Sequence, residues 1–176
     1  MDTPGGVGTL YFGIFMIDVL ALDLGTSVGF AYNRGDKFFC GSWELATAKE
    51  IRQWGKDRSR RTKDPRIERL CDHISNLGPV DLIVIEDVLF ASSTYAVQLW
   101  ASLRASVWLC ADSRRFEAVP VQTIKMFATG SGNAQKDEMI LTAKEWKPDL
   151  GEISDDTADA IHIWRWAHEK LGGMKI

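Results

Sequence analysis

Four carboxylates stand where a folded chain can bring them together. Asp23 closes the apolar run Val19-Leu20-Ala21-Leu22 and is followed by the turn Leu24-Gly25-Thr26-Ser27. Glu86 closes a second apolar run, Val80-Asp81-Leu82-Ile83-Val84-Ile85. Asp156 and Asp159 lie three residues apart at the start of a helical pattern, so both project from one helix face. An acid at the end of an apolar strand is costly to bury unless it meets a cation or a partner. Several such acids in one cleft repel each other and cannot all ionise without a cation. Hard oxygen ligands with open positions suit Mg²⁺, with Mn²⁺ as its substitute, since these ions keep waters and bind phosphates. Two such ions about 4 Å apart clamp the attacking and leaving oxygens of a phosphodiester. The chemistry open to this pattern is metal-dependent phosphodiester hydrolysis.

The elements that must position these acids read as an α/β chain. Residues 19–23, 28–32 and 37–45 form three consecutive strands, with Asn33-Arg34-Gly35-Asp36 as turn residues between the last two. Pro65 opens a helix to about residue 76, whose apolar face is Ile67, Leu70, Ile74 and Leu77. Gly78-Pro79 stops it, and residues 80–86 follow as a strand buried on both faces. A helix from 95 to about 110, a short strand over 116–121 and a helix around 124–128 come next. The loop Gly130-Ser131-Gly132-Asn133 leads to a helix over 135–146. Ser154 or Asp155 caps a last helix to about residue 171, ended by Gly172-Gly173. Three meandering strands followed by alternating helices and strands imply a central mixed sheet, three antiparallel strands plus two parallel ones, flanked by helices. In such sheets sites form at the carboxyl ends of the strands, where Asp23 and Glu86 stand. Ala158 and Ala160 keep the last helix slim enough to approach the sheet closely.

Size and composition set the frame. At 176 residues, 45% hydrophobic and 26% charged, the chain suits one soluble domain with a core of its own, and it has no apolar run near the 18 or so residues of a membrane span. Residues 1–15 are Gly-rich and read as a disordered lead or an upstream start, with residues 16–176 as the domain. They lack the basic region and long apolar core of a secretory signal. Cys40, Cys71 and Cys110 show no metal-type spacing and read as reduced thiols of a cytosolic protein, with neither a zinc site nor a disulfide. Net charge is −3, yet residues 49–69 carry nine Lys or Arg against four acids, and residues 149–159 carry five acids and no base. A basic segment beside an acidic cluster suits a protein that grips phosphates in one place and holds divalent metal in another. Charge alone fits a solvated helix and a capped helix start equally well.

Taken jointly, these motifs resemble the RuvC-type Holliday junction resolvases of the RNase H-like superfamily, over roughly residues 19–168. The carriers are Asp23 ending the first strand, Glu86 ending the fourth, and Asp156-Thr157-Ala158-Asp159-Ala160, which is similar to the family's closing Asp-Ala-Ala-Asp-Ala motif. The stretch Ile124-Lys125-Met126-Phe127-Ala128-Thr129-Gly130-Ser131-Gly132-Asn133-Ala134-Gln135-Lys136 resembles its Lys…Gly-x-Gly-x-Ala-x-Lys segment. The resemblance implies an RNase H-like fold and a homodimer that nicks opposing strands of a four-way DNA junction. Asp23, Glu86, Asp156 and Asp159 would hold two Mg²⁺ ions per site, Lys125 and Lys136 would contact phosphates, and the 95–110 helix would supply the dimer interface. Arg58, Arg60, Arg61 and Lys63, in an insert unlike the compact bacterial enzymes, would hold DNA arms. An aromatic that wedges the junction is frequent three residues after the Glu. Here that position is Leu89, with Phe90 next, one residue out of register. The resemblance also implies the cytoplasm of a bacterial or phage-infected cell, with a helicase partner conceivable.

Other readings stand beside these. Asp23-Leu24-Gly25-Thr26 also resembles the phosphate loop of actin-type and Hsp70-type ATPases, which needs a chain about twice as long. Another RNase H-like nuclease, cutting RNA–DNA hybrids or processing RNA, fits the same acids, and so does a junction-binding protein that does not cut. Asp155 reads as a helix cap, Asp87 as facing away from Glu86, and His162 as a packing residue one turn from Asp159. Trp54 is the tryptophan placed for stacking on a base.

Overall fold

The computed structural model describes residues 17–56, 64–88 and 93–171. Strands β1 (Val19–Asp23), β2 (Ser27–Arg34) and β3 (Lys37–Glu44) pair antiparallel, while β4 (Val80–Asp87) and β5 (Ser113–Pro120) add on in parallel. The sheet order is β3-β2-β1-β4-β5, the mixed five-stranded sheet implied by the sequence pattern. Parallel neighbours need crossovers, and helices α2 (Pro65–Leu77) and α3 (Thr94–Cys110) provide them. Helices α4 (Val121–Thr129), α5 (Lys136–Trp146) and α6 (Asp155–Lys170) follow β5.

Strand alternation sorts the core into two layers. Val19 and Ala21 of β1, with Leu82 and Val84 of β4, pack under α6 against Ala158, Ile161 and Ile163. Leu20, Leu22, Ile83 and Ile85 face the other way, onto Leu70 and Ile74 of α2 and Leu103 and Val107 of α3. Each fully buried Leu or Ile among them contributes about 2 kcal/mol of transfer free energy. Asp23 and Glu86, at odd register with Leu22 and Ile85, therefore emerge on the α6 side.

Two expectations change. A further helix, α1 (Ala48–Lys56), precedes the basic run. Its signal is the capping pair Thr47 and Glu50, where the Thr47 N–H donates to Glu50 Oε2 at 2.8 Å and the Glu50 N–H returns to Thr47 Oγ1 at 3.3 Å. The cysteine reading is also corrected: Cys71 and Cys110 form a disulfide, with Cα atoms 5.4 Å apart, and Cys40 alone is a free thiol. The side-by-side packing of α2 and α3 brings together two residues that sequence spacing leaves 39 apart. With the bond in place, the cysteines no longer argue for a reducing compartment.

Candidate metal and nucleic-acid site

β1 and β4 run parallel with Leu22 opposite Ile85, so Asp23 and Glu86 are the next residues along adjacent strands. Both face α6. On its other side Asp23 pairs with Gly29 of β2. A Cβ on Gly29 would lie 1.9 Å from the Asp156 carbonyl oxygen, closer than atoms can approach. The missing side chain thus lets the first turn of α6 rest directly on β2, beside Asp23. Ser154 caps that turn by accepting the Thr157 N–H at 3.2 Å. Asp155, read as a cap alternative, is instead the first helical residue. Asp156 and Asp159 follow on the face that meets the strand ends.

The charges of these acids bear on one another. Burial, reinforced by Glu86, Asp159, Asp156 and Asp155, holds the Asp23 carboxyl well above the usual carboxylate range. Burial and Asp159 push Glu86 up to about 7, against the opposing pull of Lys125. Asp159 is raised to about 6, mostly by burial, again with Lys125 pulling it down. Asp159 Oδ1 is buried with no hydrogen-bond partner. Among the described residues, no three His, Cys, Asp or Glu side chains stand at ion-holding spacing. The chemistry of the donor set nevertheless fits a divalent cation: hard oxygens only, from the ends of β1 and β4 and the start of α6, one of them buried and unpartnered.

The Gly-rich segment carries the two lysines toward these acids. Gly130, at φ +78°, ends α4 in the left-handed conformation and turns the chain back. Lys125 Nζ donates to the Ala134 carbonyl at 2.8 Å, which ties α4 to the loop and leaves the ammonium close to Glu86 and Asp159. Lys136, first residue of α5, forms an ion pair with Asp155. That pair lowers the Asp155 carboxyl and raises the Lys136 ammonium.

Other candidates take structural places. His162 is fully buried; its Nε2–H donates to the Met139 carbonyl at 2.9 Å, and Nδ1 accepts from Arg165 at 3.1 Å. Burial lowers it to about 4, so it stays neutral and packs. Asp87 faces away from Glu86, as alternation requires, and pairs with Arg104 at 3.3 Å. The basic segment is not uniformly free for phosphate. Arg66 is only 2% exposed, bound to Asp64 through both Nε and Nη2, and donates to the Tyr95 hydroxyl at 2.8 Å. It also lies 5.8 Å from the Trp54 ring centre, so Trp54 already has a cation on its ring. Arg69 pairs with Glu50. Arg58, Arg60, Arg61, Lys63, Leu89 and Phe90 lie outside the described residues. Gly29 was missed, although a glycine between Val28 and Phe30 in a strand is itself a signal of close backbone approach.

No protein-family model matches the chain, and no curated protein matches its sequence. Solved structures do. The chain resembles RuvC of Thermus thermophilus in complex with a Holliday junction substrate, at TM-score 0.61 and 16% identity over 84% of this chain and 90% of that one. A further T. thermophilus RuvC structure matches at TM-score 0.58 and 16% identity, over 87% and 96% of the two chains. The yeast mitochondrial Holliday junction resolvase Ydc2 matches at TM-score 0.52 and 16% identity, over 86% and 79%. The chain has the RuvC, RNase H-like fold.

Proposed function

We propose that this protein is a divalent-metal-dependent endodeoxyribonuclease that resolves four-way DNA junctions. What supports the reading is that Glu86, Asp156 and Asp159 all bear on the Asp23 carboxyl and raise it, with Asp159 Oδ1 buried and unpartnered. Buried acids that oppose one another's ionisation suit a cation and a phosphate. The neighbours' junction substrate and resolvase name support branched DNA as the target.

In this reading Asp23, Glu86, Asp156 and Asp159 hold the metal, Mg²⁺ or Mn²⁺. When bound, as a pair, such ions supply an activated water and stabilise the leaving 3′-oxygen. Lys125, fixed by the Ala134 carbonyl, places its charge beside the scissile phosphate. Lys136 exchanges Asp155 for a neighbouring phosphate, and the basic residues of 49–63 hold the arms by salt-sensitive contacts. Paired nicks require two copies. The outward face of α3 suits that contact, with Val97 and Trp108 half exposed and Leu109 84% exposed.

The test is cleavage of a synthetic four-way junction and of linear duplex with the same arms, in Mg²⁺ and in EDTA, beside Asp23→Asn. Paired symmetric nicks in the junction alone, lost in EDTA and in the variant, are the expected result. Tight junction binding without nicks would leave a binding protein, and preferential cutting of an RNA–DNA hybrid would move the substrate class.

A further inference from the structure

Glu86 and Asp87 are the last two residues of β4, and they point to opposite faces of the sheet. This strand end has a ladder partner on one side only, since Glu86 lies opposite Val119 of β5 while the pairing with β1 has already ended. The pairing with β1 runs only to Leu22 opposite Ile85, one residue short of Glu86. On the other side the partner of Asp87 is Pro120, which has no N–H to give. The Glu86 side chain is thus mounted where β4 has lost β1 as a ladder partner and keeps only β5.

What holds the end from outside is Arg104. Its Nη1 reaches Asp87 Oδ1 at 3.3 Å. Its guanidinium carbon lies 5.1 Å from the Trp100 ring centre and 4.8 Å from that of Trp108, each one turn away on α3. Two indoles fix the direction of a planar cation in a way a flexible ammonium would not reproduce. Its buried Nε has no hydrogen-bond partner, so this side chain is aimed by the rings and by Asp87.

We propose that Arg104 is a positioning residue for Glu86. By pinning Asp87 on the α3 face, it keeps the end of β4 alongside β1 and holds the Glu86 carboxylate in line with Asp23 on the α6 face. Arg104 itself touches neither ion nor substrate. The inference rests on the reading of Asp23, Glu86, Asp156 and Asp159 as metal ligands.

The experiment compares wild type, Arg104→Met, Arg104→Lys and the isosteric Asp87→Asn, all in the full chain. Mn²⁺ affinity is measured by calorimetry, single-turnover nicking at saturating junction, junction affinity in EDTA, and thermal unfolding. Loss of a partner that orients a ligand typically weakens metal binding about 10-fold or more. Arg104→Met and Asp87→Asn are each expected to weaken Mn²⁺ binding and slow nicking about 10-fold, with junction affinity in EDTA within about 2-fold of wild type. Arg104→Lys recovers only part of the loss. Unchanged Mn²⁺ affinity in both Arg104→Met and Asp87→Asn overturns the proposal, as does full recovery by lysine. A loss that tracks lowered unfolding temperature and junction affinity together also overturns it, because the pair is then merely structural. A wild type that binds Mn²⁺ but does not cut leaves the positioning role standing and removes the nuclease reading; one that binds no Mn²⁺ removes both.

Discussion

β1 carries an acid near each end, Asp18 just before it and Asp23 at its close, and the two live under opposite conditions. Asp18 accepts the Gly35 N–H at 2.8 Å and Arg34 at 3.1 Å, while its own N–H donates to Asp81 at 2.9 Å. Beside it Asn33 is buried and satisfied on both sides of its amide. Oδ1 accepts the Val19 N–H and the Trp164 Nε1–H, each at 3.0 Å, and Nδ2 donates to the Ile17 carbonyl at 3.0 Å. At the other end, burial and like charge raise Asp23, Glu86 and Asp159, and Asp159 Oδ1 has no partner. Polar groups closed on each other bind the fold together; polar groups left open are held for something else. Burial is common to both ends, so partners, not burial, separate a structural acid from a functional one.

The contrast breaks most sharply at Asp23. Asp23→Asn is expected to cut junction nicking by on the order of 10³-fold, the scale of several kcal/mol of ion-based stabilisation. The unfolding temperature in EDTA should stay level or rise, since an amide there cannot ionise against burial and like charge. A variant that is both inactive and unstable would mean that the two ends are alike. Asn33→Ala should do the reverse. It strands the Val19 and Trp164 N–H groups and is expected to cost about 3 kcal/mol in urea unfolding, with nicking within about 2-fold below the transition.

Acidity sharpens the comparison. Glu86 at about 7 and Asp159 at about 6 keep protons in the fold that the unfolded chain has released by about pH 5. Their stabilising contribution is full below the unfolded values and is lost as pH rises through the folded ones. Thermal unfolding in EDTA should therefore fall in temperature from pH 5 to pH 7.5, and Mg²⁺ should flatten or invert that slope by taking the place of the protons. A flat profile in EDTA would show that the open end carries no strain of charge. The smallest effect is expected at the exposed ion pair. Lys136→Ala should weaken junction binding about 3-fold and lower the slope of log affinity against log salt by about 1, leaving unfolding unchanged.

The strands, the mixed sheet and the placement of the four acids at strand ends and a helix start were legible because each rests on a local pattern: an apolar run with period 2, a Gly-Pro stop, an Asp pair at helical spacing. Positions that depend on another element were not. Thr47 and Glu50 announced α1 only to a reader looking for a cap inside a charged run. Arg66 and Arg69 looked like free cations because Tyr95 and Glu50, which take them up, stand far along the chain, and Asp64 beside Arg66 read only as one more surface charge. Asp87 was rightly turned away from Glu86 by alternation, but its tie to Arg104 needed α3 in place. Gly29 belongs to the same group, since its use is defined by a carbonyl 127 residues along the chain.

The bond between Cys71 and Cys110 makes the polypeptide a ring with two tails. Glu86, Asp87 and Arg104 ride on the ring, Asp23 on the leading tail, Asp156 and Asp159 on the trailing one. A single backbone cut between residues 72 and 109 opens the ring without dividing the molecule. The pieces separate only when a reductant is added, so the same cleaved chain runs as one species or two on a denaturing gel according to the state of its sulfurs.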